Sequence, residues 1–494
     1  MGSDEEVKVS TTEDVIYPLY MLDDTKTLRG IVVSWTLRFN DVLDPARLHN
    51  ALAELLEIGG WRKAGGRLRS KTGGRIEIHA PKSFSAERPA VSYSHQAFNV
   101  SINDHPVANT LPQATKAPSI HAGPDKFQMF AARQDAPNKL ADFLDKDQPL
   151  LSLHISSFND ATLVGLSWPH LLMDVMGQQA LLRGWSSVLA GRKSAVPPCI
   201  GAREDTIAEI ADSTTSPIEE YALGKQKMSV LGMIQFGARF AWDMMWNSNV
   251  ETRTVCIPAS AMNCLLKEAS DSISEAATNG KQPFVSEGDV LTAWFSRAVA
   301  SSLARPRPVT ILHALNARFR LSSLKNSQGI YIQNMAVAAF SYLTADLARG
   351  LLGPAALRNR NGLLEHATEA QVLAGLRELR QQHELKPGVD PNIIRGDPNA
   401  VLMPFTNWTR AELYEAADFS AAFMRSGEDE DSRSNPPGTM VHHHASSMQP
   451  NSTARNVIVV LGKNLGGNYW VTGLQLTPAA WKQIENGLAE IESP

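Results

Sequence analysis

Apolar runs that alternate with turn residues recur along the chain and predict strands in both halves. In the first half they cover residues 29–38, 150–157 and 161–168, and Asn159-Asp160 stands between the last two runs. Two such runs joined by a short polar turn are typical of a β-hairpin. In the second half the same pattern predicts strands near 308–316, 331–342, 455–461 and 468–475.

Helical patterns alternate with these strands. At 44–56, Asp44 and Pro45 provide an N-cap and a first helical residue, which suit the unpaired amides of a first turn. Apolar residues at helical spacing predict further helices at about 174–190 and 287–303. Because strands and helices are mixed in both halves, the sequence predicts an α/β protein.

The length of the chain indicates more than one domain. A chain of 494 residues exceeds what a single hydrophobic core usually supports. Residues 191–217 contain Gly191, Pro197-Pro198 and a Ser/Thr-rich stretch, which are typical of a connection. We therefore predict an N-terminal domain at 1–190, a linker at 191–217 and a C-terminal domain at 218–494. Two further loops are predicted at 102–124 and 427–438.

The most apolar segment, residues 229–246, carries Gln235, Arg239 and Asp243 within it. It lacks the roughly 20 consecutive apolar residues that a membrane-spanning helix needs. As a helix it would be apolar around much of its circumference, which favours a buried or substrate-lining position. Peripheral contact with a membrane is the alternative.

Composition excludes several classes of protein. A formal net charge of -4 gives no sign of a nucleic-acid groove or a strongly basic membrane-binding face. The three cysteines are scattered, which argues against a disulfide framework or zinc cluster and fits a reducing compartment. Residues 1–10 are acidic and lack the features of a signal peptide, so we expect a cytoplasmic protein with no transmembrane segment.

Two His-x-x-x-Asp patterns occur among the 13 histidines. His121 and Asp125 fall in a stretch with Gly123 and Pro124 where no helix or strand is predicted, which favours a surface loop. His170 and Asp174 stand between a predicted strand and a predicted helix, directly after Pro169. Such a junction fixes a reactive group on rigid elements and leaves it accessible. Spacing alone leaves a catalytic and a purely structural histidine both open.

The surrounding residues carry a resemblance to a known family. Residues 167–177, SWPHLLMDVMG, resemble the HxxxDG signature of BAHD acyltransferases, in the variant of fungal secondary metabolism. Chloramphenicol acetyltransferases and condensation domains of peptide synthetases share that signature. Val175 and Met176 separate Asp174 from Gly177, whereas many members have Gly directly after the Asp. Further segments match in the family's order: VSEGDVLTAWF at 285–295, NARFRL at 316–321, GIYIQN at 329–334, FTNW at 405–408 and YEAADFS at 414–420.

The resemblance implies a fold and a reaction. The fold would be two chloramphenicol-acetyltransferase-like domains, each a mixed β-sheet flanked by helices, with an active-site tunnel between them. The reaction would move an acyl group, most commonly acetyl, from acyl-CoA to a hydroxyl of a natural product, without an acyl-enzyme. Acyl-CoA would be a co-substrate, with no permanently bound cofactor. The family suggests a monomer whose partners are small molecules rather than nucleic acid.

By resemblance, His170 would be the general base. An alcohol is not ionised at neutral pH, and neutral imidazole, with an ordinary pKa of about 6.5, can accept its proton during attack on the thioester. Asp174 could orient His170 as in a catalytic triad. The family pattern instead favours an ion pair between Asp174 and an arginine of the second half, Arg318 or Arg320.

The segment at 405–408 predicts the remaining site residues. Thr406 and Trp408 match family positions that face the reaction centre, and Asn407 is a weaker candidate. They would stabilise the oxyanion or position substrate, and simple strand packing is the alternative. Asp418 and Phe419 predict a structural turn.

Two further features bear on ligand binding. Ser420-Ala-Ala replaces the family's Gly-Trp-Gly, which puts the usual CoA-side wall in question. The adjacent histidines 442–444 would alternate faces of a strand, so we expect no metal site there.

Other functions stay open. The same fold with His170 could serve a cyclisation or elimination in a biosynthetic pathway, an idea that the altered segment after Phe419 supports. A carrier-dependent condensation domain is disfavoured, since Pro169 stands where that class has a second His. A binding protein without catalysis would require the residues around His170 and Thr406 to be relics.

Overall fold

A computed structural model describes residues 14–212, 219–274, 283–385, 389–428, 433, 435–451 and 453–492. The acidic N-terminal stretch and the last residues of the acidic run at 427–431 lie outside these ranges, as does part of the predicted linker. The predicted α/β class is confirmed: mixed sheets are flanked by helices in both halves.

The strands are β1 Val15–Pro18, β2 Val32–Phe39, β3 Asp41–Leu43, β4 Arg67–Ser70, β5 Ile76–Ala80, β6 Ser92–Ala97, β7 Ser119–Ala122, β8 Ser152–Ser157, β9 Thr162–Pro169, β10 Glu251–Ile257, β11 Val309–Asn316, β12 Ala336–Leu343, β13 Val401–Asn407, β14 Phe423–Ser426, β15 His442–Ser447, β16 Val457–Lys463 and β17 Tyr469–Leu476. The helices are α1 Lys26–Arg29, α2 Pro45–Leu55, α3 Leu140–Leu144, α4 Val175–Leu189, α5 Thr206–Asp212, α6 Val230–Trp246, α7 Ala259–Ser274, α8 Glu287–Ser301, α9 Ser322–Lys325, α10 Ala345–Arg349, α11 Leu352–His366, α12 Glu369–Leu385, α13 Leu413–Ala416 and α14 Pro478–Glu492.

Two large mixed sheets organise the molecule. The five-stranded sheet has the order β15-β2-β9-β8-β6, and the seven-stranded sheet has the order β12-β11-β13-β16-β17-β10-β7. In the first sheet only β6 and β8 pair in parallel, whereas in the second β11, β13 and β16 are parallel neighbours. The predicted hairpin is present as β8 and β9, which pair antiparallel across Asn159-Asp160.

Each large sheet takes an edge strand from the other half of the chain. β15 pairs with β2, so His444 stands opposite Thr36 in the five-stranded sheet. β7 pairs with β10 at the edge of the seven-stranded sheet. The loop prediction for 102–124, and with it the surface loop predicted for His121, is wrong at β7: His121 is half-buried and stands opposite Thr254, because the strand gains its partner from distant sequence. The domain boundaries at 1–190 and 218–494 stay a prediction.

Hydrophobic packing covers both sheets. One face of β2 carries Trp35, Leu37 and Phe39, which share one buried core with residues of α2 and α4. The buried residues of α2 recur at spacings of three and four, whereas α4 is buried around most of its circumference. In the other half, Trp294 of α8 and Trp481 of α14 pack within the core beneath the seven-stranded sheet. Burial of a large apolar side chain contributes roughly 1.5 to 3 kcal/mol, so these layers hold the sheets rigid.

The helix at 229–246 does not have its predicted environment. It forms α6, capped by Ser229, but only Gly232 within it is buried. Met245 and Trp246 are 77 % and 75 % exposed. The interpretation as a buried helix is therefore wrong. No helix among the described residues is long and apolar enough to cross a membrane.

Candidate active site

His170 lies at the junction where β9 ends and α4 is about to begin. Its backbone N–H donates to the Ile31 carbonyl over 2.9 Å, and the Leu172 N–H turns back to the Pro169 carbonyl over 2.9 Å. Trp168, just before it, packs edge-on against Trp35 in the core. The junction is thus anchored on both sides, as its place between two strong elements predicts.

A side chain from the second half also holds this junction. The Asn334 Nδ2 amide donates to the His170 carbonyl over 3.0 Å and to Asp23 Oδ1 over 2.9 Å. The Asn334 backbone N–H donates to the same Asp23 oxygen over 2.9 Å. Asp23 is 1 % exposed, and burial raises its pKa to about 6 against the opposing effects of Lys63 and Asn334.

Sequence reasoning assigned no role to Asp23 or Asn334. Asn334 belongs to a segment that matches the family, which was the available signal for it. Asp23 carries no local signal, because its partner lies 311 residues away along the chain.

Asp174 turns away from His170 to the second half. Its Oδ1 accepts from the Met176 and Gly177 amides over 3.0 and 3.2 Å, which caps α4. Its Oδ2 accepts from Arg318 Nη1 over 2.8 Å and from the Met335 N–H over 2.9 Å. Both oxygens are therefore engaged, and the carboxylate joins the start of α4 to the second half.

Of the two predicted arginines, Arg318 is the partner of Asp174. Its guanidinium also donates to the Tyr331 carbonyl over 2.9 Å and to the Gln333 carbonyl. Arg320 Nε is buried without a hydrogen-bond partner among the described residues. Burial and the neighbouring Arg410 lower the pKa of Arg320. Among the described residues, no hydrogen bond or ion pair joins Arg320 to Asp174.

The remaining candidates lie where β11 and β13 end and β12 begins in the seven-stranded sheet. β11 and β13 run parallel, and His313 stands opposite Phe405. Continuing this register by three residues brings Asn316 level with Trp408. β12 begins opposite the end of β11, which brings Met335 to the same place. Neighbouring strands lie about 4.8 Å apart, and β11 separates β13 from β12. Residues 406–408 therefore lie about two strand spacings from Asn334 and Met335, which precede β12 and bind the His170 junction.

The three predicted residues after Phe405 differ in their hydrogen bonds. Trp408 Nε1 donates to Thr406 Oγ1 over 3.1 Å, which leaves the threonine hydroxyl proton for another acceptor. Asn407 Oδ1 accepts from the Thr409 N–H over 2.9 Å, so this side chain stabilises the turn after β13. Thr406 is half-buried, whereas Asn407 is exposed.

The environment of His170 sets its protonation. Burial lowers the pKa of His170 below its ordinary value of 6.5, and its own carbonyl, the Asp174 carboxylate and the Asn334 amide oppose that effect in part. The imidazole is therefore neutral at neutral pH. A neutral imidazole has one nitrogen free to accept a proton.

Unpartnered polar atoms surround the Asp23 side of this junction. Asp23 Oδ2 and the hydroxyls of Tyr20 and Tyr331 are buried without a hydrogen bond within the described residues. Lys63 is fully buried, and its Nζ stands 5.5 Å from the centre of the Tyr20 ring. Burial lowers the pKa of Lys63. Buried polar atoms without partners are costly, so these three oxygens are candidates to bind a ligand or a water molecule.

The other motifs lie away from these contacts. Phe419 is fully buried and stacks on Phe39, with ring centres 5.1 Å apart, and Asp418 accepts from the Ser420 N–H in a tight turn. The rings of 442–444 point to both faces of β15: His443 accepts from Trp35 Nε1, whereas His442 packs on Trp470.

Known proteins place the chain in a family. It is 35% identical over 490 residues to the O-acetyltransferase PaAT-2 of Phomopsis amygdali, covering 97% of this chain and 98% of that protein. The acetyltransferase adrJ of Penicillium roqueforti is 36% identical, over 97% of this chain and 96% of its own. The chain belongs to the BAHD-like O-acyltransferases. A relative at 35% identity, from Penicillium decumbens, is named transcriptional regulator calD.

Solved structures confirm the fold of this acyltransferase. TRI101 of F. sporotrichioides, complexed with coenzyme A and T-2, superposes with a TM-score of 0.66 at 15% identity, covering 95% of this chain and 97% of that one. Vinorine synthase gives 0.56 at 14% identity, with 96% and 93% covered. The predicted two-part acyltransferase fold is thereby confirmed. No family model matches the chain.

Proposed function

We propose that the protein transfers an acetyl group from acetyl-CoA to a hydroxyl of a natural product, with His170 as the general base. The observation that carries this proposal is a half-buried histidine, neutral at neutral pH, on a strand–helix junction anchored by hydrogen bonds, with its neighbouring carboxylate engaged by Arg318. The relatives' names support acetyl transfer, and coenzyme A in the TRI101 complex supports the donor.

The chemistry follows from the residues. His170 takes the acceptor's hydroxyl proton as the oxygen attacks the thioester carbonyl. The tetrahedral intermediate collapses, the C–S bond breaks, and the imidazolium returns the proton to the departing CoA thiolate. Thr406, oriented by Trp408, supplies a hydroxyl proton toward the oxyanion, a contribution of about 10² to 10³ in rate. Because the acceptor attacks the thioester directly, both substrates are bound at the same time and no acyl-enzyme forms.

Asp174, Arg318 and Asn334 position the base rather than react. They tie the His170 junction to the segments that follow β11 and precede β12. The unpartnered oxygens of Asp23, Tyr20 and Tyr331 fit an acceptor that carries several hydroxyl groups. Cytoplasmic location and a monomeric state belong to the same proposal.

Binding of acetyl-CoA and transfer to a panel of hydroxylated natural products test this function together. Calorimetry would show acetyl-CoA bound by wild type and by His170→Ala alike, while CoA release with an acceptor falls about 10²- to 10⁴-fold in the variant. His121→Ala, in the second His-x-x-x-Asp pattern, is the matched control and would keep both properties. A well-folded wild type that binds no acyl-CoA would contradict the proposal and favour a repurposed fold.

A further inference from the structure

Helix α6 presents a continuous apolar face to solvent. Every exposed residue of α6 is apolar except Gln235 and Arg239. The exposed apolar positions recur at spacings of three and four, which places them on one side of the helix. They are Val230, Leu231, Ile234, Gly237, Ala238, Ala241, Trp242, Met245 and Trp246.

Polar contacts on the protein-facing side and at the flank of α6 fix this orientation. Asp243 accepts from Arg307 Nη1 over 2.7 Å, and Gln235 Nε2 donates to Asn399 Oδ1 over 2.9 Å. Arg455 donates to the Met244 and Asn247 carbonyls at the end of the helix. Because these bonds hold the helix against the body of the protein, its apolar face points toward solvent.

Aromatic and cationic groups flank the end of this face. The rings of Trp242 and Trp246 stack with centres 5.6 Å apart and planes 10° apart. Both line a groove that also contains Arg239, Arg305 and Arg307. Arg307 pairs with Asp243, whereas Arg239 and Arg305 are exposed and make no ion pair or hydrogen bond within the described part of the chain.

We propose that α6 is a membrane-surface helix that inserts its apolar face into an anionic lipid bilayer. A helix of 17 residues is about 26 Å long, and it would lie in the plane of the interface. Tryptophan is enriched at the level of the lipid headgroups, and lipid phosphates complement the two unpaired arginines. A second copy of the chain would bring those arginines toward each other in a two-fold arrangement, which disfavours self-association.

Vesicle co-sedimentation of the full-length protein tests this inference. Wild type is expected to bind vesicles of phosphatidylcholine mixed with phosphatidylserine more strongly than vesicles of phosphatidylcholine alone. Trp242→Ser/Trp246→Ser should weaken binding to both kinds of vesicle by about tenfold or more. Arg239→Gln/Arg305→Gln should weaken binding only to the anionic vesicles, by about fivefold for each arginine, and the difference should vanish at high salt.

Leu351→Ser/Leu364→Ser is the matched control, since both leucines are exposed apolar residues of another surface, at 64% and 57%. It should bind as wild type does. Thermal unfolding of all variants verifies that each is folded. Equal vesicle binding by the tryptophan variant, or no binding by folded wild type, would overturn the inference. A wild-type dimer that the tryptophan variant loses in sedimentation velocity, without vesicle binding, would instead assign the face to self-association.

Discussion

At the scale of single residues, the pKa of His170 gives a testable pH dependence. Burial lowers this pKa, so the imidazole stays neutral below pH 6.5, and with His170 as the proposed base the acidic limb of kcat/KM should lie there. The Asn334 amide raises the same pKa, and Asn334→Ala should move the limb to still lower pH. A pH–rate profile of both proteins measures the shift.

If Asn334→Ala only reduced the fraction of folded protein, the amount of active enzyme would fall but the acidic limb of the pH–rate profile would not move. Titration of active sites by calorimetry with acetyl-CoA corrects for that loss. A limb that moves to higher pH would contradict the assigned effect of the Asn334 side chain on the pKa of His170.

Asp174 contributes to stability through Arg318. Asp174→Asn leaves a guanidinium, 11% exposed, without its counter-charge, so the free energy of unfolding should fall by about 3 to 5 kcal/mol. Asp125→Asn, at the same place in the other His-x-x-x-Asp pattern, should stay within about 0.5 kcal/mol of wild type. Urea unfolding compares the two. Unchanged stability with lost activity would mean that Asp174 acts on His170 instead.

At the scale of elements, the start of α4 depends on Gly177. A Cβ on Gly177 would stand 2.3 Å from the Ile332 carbonyl oxygen, so the helix end and the second half touch backbone to backbone. Gly177→Ala should therefore destabilise the protein by about 1 to 3 kcal/mol, measured by thermal and urea unfolding.

Gly237 provides the control, since a Cβ there meets nothing within 4 Å in α6. Gly237→Ala should stabilise by about 0.5 to 1 kcal/mol, because alanine has the higher helix propensity. If Gly177→Ala is equally stabilising, the close approach is not a constraint on this interface.

Most elements follow from local patterns, but their environments do not. Asp44 and Pro45 begin a helix as the sequence predicts, and the hairpin of β8 and β9 closes across Asn159-Asp160. The apolar segment 229–246 forms a helix but is exposed, because hydrophobic content does not say which neighbour covers a face. β7 could not be predicted, since its strand pairing comes from β10.

At the scale of the whole molecule, the exchanged edge strands couple the two halves. β15 completes the sheet around β2, and His443 accepts from Trp35 within it. Residues 1–217 expressed alone should therefore lack cooperative thermal unfolding, because β2 would be an uncovered sheet edge. Co-expression with residues 218–494 should restore it. A fragment that unfolds cooperatively alone, by near-UV circular dichroism, would contradict this coupling.

The sequence by itself determined where His170 stands. The strand pattern before His170 and the helix pattern after Asp174 are local, so the junction could be placed without knowledge of the rest of the chain. The same holds for the α/β class and for the family, which the motifs from 167 to 420 carry.

Only the tertiary structure decided which groups meet. Arg318 rather than Arg320 reaches Asp174 across 144 residues, Asp23 reaches Asn334 across 311, and the apolar face of α6 turns outward. Each outcome depends on how the two sheets and their helices pack, and side-chain reach over such separations leaves no periodicity in the sequence. Local patterns fix the elements, whereas packing fixes their partners.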